Sequence, residues 1–339
     1  MPTNLEASRT AVITGANTGL GYACAHALLA STDGAPWHVV LACRSEERGR
    51  AAKARLEKTA GTDGQVEVMT LDLASLQSVR AFAADLTGRL RTGALPPLHG
   101  LVCNAGVQSG ATSSVTADGF EATFGINHLG HFLLVELLLP ALEPPARVVV
   151  VASIVHDPAK NAGLPAPAWN DPAALARGEL GRAAADDKPL AVARRRYSTS
   201  KLANVYFTYA LARRLPDGVT ANAFDPGLMP GTGLVREAPA PLRFANAHVL
   251  PHVIPLARRL HMPNIHTVQE SGDSLARLLI DPALAHTTGK YFEGRQEIRS
   301  SEESYDQARG EELWTESETL TASGSGPFPV DGGTRPGRA

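Results

Sequence analysis

Thr14, Gly15, Ala16, Asn17, Thr18, Gly19, Leu20 and Gly21 constrain the fold of this chain more than any other segment. They follow an apolar strand pattern over 11–13 and open an Ala-rich helical pattern over 22–30. A strand that turns through glycine into a helix start aims unpaired N–H groups and the positive end of the helix dipole at one point. That geometry attracts a pyrophosphate, and glycine lets the backbone come close to it. The spacing is Gly-x-x-x-Gly-x-Gly, which differs from the commoner Gly-x-Gly-x-x-Gly fingerprint.

The same rhythm continues downstream. Strand patterns over 38–42, 66–71, 100–103 and 148–152 alternate with helical patterns over 46–58, 76–91 and 120–142. Alternation of this kind predicts an α/β fold with a doubly wound parallel sheet. A helix over 268–279, a strand near 289–293 and a helix over 302–320 complete it. Two stretches break the rhythm, 158–193, rich in Pro and Ala, and 228–263, rich in Pro and His. Both follow strand ends on the side where ligands bind in open α/β sheets, so they are expected to form a substrate lid. Trp169, Leu228, Met229, Leu234, Phe244 and Val249 would supply apolar lining. The tail, 323–339, is Gly- and Pro-rich and is expected to be disordered.

With 339 residues and a net charge of -2, the chain offers no electrostatic case for a nucleic-acid partner. The basic run Arg194, Arg195, Arg196 reads as a solvated helix start. Three scattered cysteines, Cys24, Cys43 and Cys103, argue for a reducing compartment without disulfides, and no Cys/His spacing suggests a metal. The N-terminus carries no signal pattern. The longest apolar run, 132–142, is interrupted by Glu136 and Pro140 and is too short for an integral membrane segment. A cytoplasmic location follows as the expectation. Oligomeric state, monomer or homodimer, is open.

Tyr197 and Lys201 carry the chemistry. Four residues apart on a helix, they lie on one face. A phenol beside an ammonium group is expected to have a depressed pKa and to protonate an oxyanion or remove its proton in reverse. Such pairs also occur by chance on helix surfaces. Ser153, at a strand end, can stabilise developing oxyanion charge. Asn127 sits within a helical pattern where its propensity is poor, which suggests a function. Asp72 is expected to cap the helix after the third strand. Asn104, before Ala105 and Gly106, can brace the sheet end. The second strand ends without an acid and is followed by Arg44, which suits a 2′-phosphate rather than a 2′-hydroxyl. His128 and His131 read as packing or capping residues, and nothing assigns His156 a role.

With the glycine turn, Asn104-Ala105-Gly106, Asn127, Ser153 and the Tyr197/Lys201 pair in this order, the chain resembles the short-chain dehydrogenase/reductase family over about residues 8–320. Ala42 to Ser45, Asn127 to Phe132 and Tyr197 to Asn204 look like its retinol dehydrogenase and light-dependent protochlorophyllide reductase branch. The resemblance implies one Rossmann-type domain with inserted lid segments and NADP(H) as cofactor. It implies a catalytic set of Asn127, Ser153, Tyr197 and Lys201, with Lys201 also holding the nicotinamide ribose and Asn127 a water that feeds Lys201. Cofactor contacts would come from Gly15, Asn17, Thr18, Gly19, Leu20, Gly21, Arg44, Asp72, Leu73, Asn104, Ala105, Gly106, Pro226, Gly227 and Thr232, besides Tyr197 and Lys201. The segment from Asp225 to Leu234 matches the protochlorophyllide reductase spacing, but Leu228 stands where that enzyme has a cysteine.

The expected function is therefore hydride transfer between nicotinamide and the carbonyl or alcohol of a bulky, apolar small molecule. The alternatives are reduction of a carbon–carbon double bond and a non-catalytic NADP-sensing protein. The sensing reading is at odds with retention of all four candidate catalytic residues.

Overall fold

Ala11, Val12 and Ile13 are buried completely, as are Val39, Val40, Leu41, Leu101 and Val102. Strands apolar on both sides need cover on both faces, and the fold supplies it. The computed structural model describes residues 8–323 apart from 33, 61–64, 112–113, 231–253 and 255–263. Eight strands form one sheet: β1 Arg9–Thr14, β2 Trp37–Cys43, β3 Val66–Thr70, β4 Leu98–Cys103, β5 Leu142–Val151, β6 Val219–Asp225, β7 Lys290–Glu293 and β8 Gln296–Ile298. Their order is β3-β2-β1-β4-β5-β6-β7-β8. Every pair is parallel except β7 with β8.

Three helices cover one face: α1 Gly19–Leu29, α2 Glu46–Ala60 and Val268–Ile280. The other face carries α3 Leu76–Arg91, α4 Ala122–Ala141, α5 Pro189–Ala212 and, near the C-terminus, Gln307–Ser323. In chain order Val268–Ile280 is α6 and Gln307–Ser323 is α7. The doubly wound α/β expectation holds. Gly272 of α6 has no room for a side chain, because a Cβ there would lie 2.4 Å from Ala23 Cβ of α1. By length and hydropathy α4 could cross a membrane, yet 78% of that stretch is buried inside the protein, and it lies in the core cluster against α3 and α5.

Several boundaries differ from the sequence reading. The expected helix over 120–142 starts at Ala122 and contains a π-helical turn, Gly125–Leu129. β5 begins at Leu142, before the apolar run, because Pro144 and Pro145 fall where its pairing with β4 shifts register. The last helix starts at Gln307, after a separate 3-10 turn, Glu302–Tyr305. β8 is only three residues, Gln296, Glu297 and Ile298, too short to leave a periodic signal.

The stretch 158–193 is not loose. α5 already begins at Pro189, and the remainder is tied down. Trp169 packs edge-on against Tyr206 with ring centroids 4.8 Å apart, so it anchors the insert to α5. Ala168 N donates to Thr199 Oγ1 at 3.0 Å. Arg195 pairs with Asp187 at 2.6 Å and donates to the Ala166 carbonyl, while Arg196 donates to the Gly178 carbonyl. The basic run is therefore not a solvated helix start: only Arg194 is exposed, and its neighbours hold the insert. Most of the second expected lid, including Leu234, Phe244, Val249 and the cofactor candidate Thr232, lies outside the described residues, as does the tail beyond 323.

Candidate active site

The order β1-β4-β5-β6 brings four strand ends side by side, so that Gly15, Asn104, Ser153 and Pro226 follow adjacent strands at one edge. The glycine turn is built for close approach. Gly15 and Gly19 have φ of 67° and 57°, a left-handed backbone that favours glycine. A Cβ on Gly21 would lie 2.6 Å from Asn104 Nδ2 and 3.0 Å from the Gly15 carbonyl. Thr18 is the N-cap of α1 and makes no side-chain cap bond, which leaves the first-turn N–H groups to a ligand. These features fit a dinucleotide pyrophosphate. Asn104 braces the edge as expected: Nδ2 donates to the Thr14 carbonyl at 2.7 Å.

Tyr197 and Lys201 are both buried on α5. Lys201 Nζ lies 5.6 Å from the centre of the Tyr197 ring and donates to the Val151 carbonyl at 2.9 Å. That carbonyl is two residues before Ser153, so the pair and Ser153 converge at the end of β5. Asn204 Nδ2 donates to the same carbonyl at 3.1 Å. A Cβ on Gly106 would lie 3.4 Å from Asn127 Oδ1 and 3.7 Å from Lys201 Nζ, so the end of β4 also reaches this point.

One expectation is corrected here. Burial, reinforced by Asp225, holds the Tyr197 phenol above its ordinary range rather than below it. Phenolate is disfavoured away from water and near a like charge. Burial likewise pushes Lys201 down to about 8, with Asp225 opposing. Asp225 is itself pushed up to about 6 by burial, against N–H groups from Gly227 and Asn264 that favour its charge.

Asn127 sits in the π-helical turn, and its side chain is fully engaged. Oδ1 accepts from Val107 N at 2.8 Å, and Nδ2 donates to the Val107 carbonyl and to Ser200 Oγ, each at 3.0 Å. Glycines bracket the turn because space requires them: a Cβ on Gly125 would lie 2.5 Å from Thr116 Cγ2, and one on Gly130 2.6 Å from the Leu73 carbonyl. Leu73 is thus buried against α4 rather than open at the edge. Asp72 is not the cap of α3. Ser75 caps it, accepting from Ser78 N, while Asp72 Oδ1 accepts from Ala74 N and shapes the preceding turn. Arg44 stands exposed just past β2.

Ser153 is half-buried and extended (φ −174°, ψ 151°), at the start of a 3-10 turn, Ile154–His156. Beyond it opens a cleft of about 270 Å³, with Val155, Pro158 and Leu164 as apolar lining and Asp157 and Asn161 as polar lining. Pro226 and Gly227 form the turn after β6, where Gly227 has φ 73° and Leu228 is 54% exposed. Asp225 Oδ1 accepts from Gly227 N at 3.0 Å and Oδ2 from Asn264 Nδ2 at 3.1 Å.

The sequence reading assigned no role in this site to the side chains of Thr14, His131, His156 and Asp225. Only His131 carried a signal, its i+4 spacing from Asn127; the others depend on partners far away in the chain. Among the described residues, no group of three or more His, Cys, Asp or Glu could hold a metal ion.

A parallel sheet with a glycine phosphate turn and a Tyr–Lys pair at its carboxyl edge defines a nucleotide-dependent α/β oxidoreductase. Comparison with known proteins agrees. A family model described as short chain dehydrogenase matches residues 9–163. Protochlorophyllide reductase A of Oryza sativa subsp. japonica is 35% identical over 328 residues, covering 91% of this chain and 79% of that protein. Retinol dehydrogenase 14 of Mus musculus is 35% identical, covering 92% and 85%. In fold, a variant of actinorhodin polyketide ketoreductase solved with NADPH matches with a TM-score of 0.58 at 24% identity, covering 86% of this chain and 97% of that one. The chain belongs to the short-chain dehydrogenase family and is an oxidoreductase of that family.

Proposed function

We propose that this protein is an NADP(H)-dependent oxidoreductase acting on the carbonyl or alcohol of a bulky, apolar small molecule. The observation that carries the reading is Lys201 beneath the Tyr197 ring, bonded to the carbonyl two residues before Ser153. NADPH, when bound, supplies the hydride that reduces a carbonyl carbon. Tyr197, whose phenol burial keeps protonated, donates its proton to the carbonyl oxygen. Ser153 donates a hydrogen bond to the same oxygen as charge develops on it. Lys201 holds the ribose with its ammonium and helps restore the proton on Tyr197. Gly15, Asn17, Thr18, Gly19, Leu20 and Gly21 receive the pyrophosphate, Arg44 the 2′-phosphate, and Asn104, Ala105, Gly106, Pro226 and Gly227 flank the rest of the cofactor. The exposed Leu228, in the turn after β6, supports an apolar substrate.

The test is oxidation of NADPH in the dark with a panel of aromatic and long-chain ketones and aldehydes. Turnover that needs Tyr197 supports the reading. Absence of turnover with every carbonyl, together with turnover of an activated alkene, rejects it in favour of double-bond reduction.

A further inference from the structure

His156 is buried, with 2% of its surface exposed, and both ring nitrogens are engaged. Nε2 lies 3.0 Å from the backbone nitrogen of Ser301, which can only donate, so Nε2 carries no proton. Nδ1 lies 2.7 Å from the Ser153 carbonyl, which can only accept, so Nδ1 carries it. The two partners fix one neutral tautomer. The ring packs against Tyr291 of β7 with centroids 4.9 Å apart.

The consequence falls on Ser153. A serine at the start of a helical turn ordinarily folds its hydroxyl back to cap the turn's N–H groups. Ser153 makes no such bond. The Ser153 carbonyl is held instead by both His156 N at 3.1 Å and His156 Nδ1 at 2.7 Å. The turn is thereby held without using the Ser153 hydroxyl.

We infer that His156 is a positioning residue: as a neutral Nδ1–H imidazole strut between Ser153 and Ser301, it holds the Ser153 turn so that the Ser153 hydroxyl is left for substrate. Protonation of Nε2 would set N–H against N–H at Ser301 and release the strut. The groups facing the ring are Asp157 and Lys160 from its own segment, Tyr291 from β7, and Asp225, Glu293 and Tyr209 around Tyr291. Burial favours the neutral ring, and Asp157 opposes it.

Two measurements test this, only one of which rests on the proposed reductase activity. The first is nitrogen-15 NMR of the imidazoles in the full chain without cofactor, with His156 assigned by its loss in His156→Asn. The expected result is the Nδ1–H tautomer, still neutral at about pH 6.5, where a free histidine is half protonated. An Nε2–H tautomer, or ordinary titration, overturns the inference whatever the protein's activity. The second compares kcat and the NADPH KM for the best carbonyl in the panel. His156→Phe keeps the ring volume and loses both bonds, and should lower kcat by about tenfold or more with KM for NADPH unchanged. His156→Asn retains a donor at the Nδ1 position but loses the Ser301 acceptor, and should recover only part of that loss. A phenylalanine variant with wild-type kcat, or an asparagine variant no better than phenylalanine, also overturns it.

Discussion

His131 Nε2 lies 2.9 Å from Thr14 Oγ1, although 117 residues separate them. The Thr14 hydroxyl already accepts from Asn104 N and Ala105 N, each at 2.9 Å. Both lone pairs are used, so its one proton is shared between the ring and the Val102 carbonyl, 3.3 Å away. The other nitrogen, Nδ1, faces the Asn127 carbonyl at 3.1 Å. One hydroxyl thus ties the end of β1, the turn after β4 and the π-helical turn into a unit. Thr14→Val should keep the shape but leave the half-buried Ala105 amide unpaired, while Asn104 N keeps the Val102 carbonyl at 3.0 Å, at a cost of about 1–3 kcal/mol. The expected outcome is a folded protein with a lower melting temperature and weaker NADPH binding. Calorimetric titration checks it, and wild-type values in both would refute the unit.

Tyr197→Phe should abolish turnover while leaving cofactor binding nearly intact. The ring keeps its packing, and only the transferable proton is lost. A fall of at least ~10²-fold in kcat is expected for a missing general acid. Near-normal turnover would mean that the assigned chemistry is wrong.

NADPH should bind more tightly than NADH, because exposed Arg44 follows a strand end that carries no acid. A charge-assisted contact to phosphate predicts a preference of about tenfold or more. Fluorescence titration of both cofactors reads it directly. Arg44→Ala should erase most of the difference, and a preference that survives the substitution would place the 2′-phosphate elsewhere.

Gly21→Ala should damage the phosphate turn specifically. The added Cβ meets Asn104 Nδ2 at 2.6 Å and the Ala16 Cα at 3.0 Å. Asn104 must move, and with it the bond to the Thr14 carbonyl. Overpacking of this kind costs about 1–3 kcal/mol. Weaker NADPH binding with a modest drop in melting temperature is expected, and unchanged affinity would argue against this turn as the cofactor site.

His128 sits among Phe124, Phe132 and Phe207, with ring centroids 5.1, 6.1 and 5.8 Å away. Burial pushes it down to about 3, and His131 down to about 4, from an ordinary value of 6.5. The folded values lie below the unfolded one, so the unfolded chain binds more protons in between. The stability these rings contribute is fully present above pH 6.5 and is lost as pH falls toward 4 and 3. His128→Phe should reduce the loss of stability between about pH 7 and about pH 5, measured by urea denaturation at each. An unchanged difference would show that His128 is not part of the acid response.

The alternation of strands and helices, the glycine turn and the Tyr197/Lys201 spacing were legible in the residues, because each depends on local backbone geometry or on one helical turn. α3 spans the expected 76–91, where apolar spacing and length agreed. Other features were hidden because they depend on what faces a residue across the fold. Asp72 has the chemistry of a cap, yet Ser75 lies where the helix begins. Arg195 and Arg196 look solvated in sequence, yet the insert folds back onto them. Thr14 and His131 meet across the sheet edge, and His156 reaches Ser301 across 145 residues. The sequence by itself determined that the chain winds a parallel sheet and which residue types stand at its carboxyl edge. Only the tertiary structure decided which imidazole nitrogen carries a proton and that the Tyr197 phenol is held protonated, because burial and the placement of distant donors and charges set those energies.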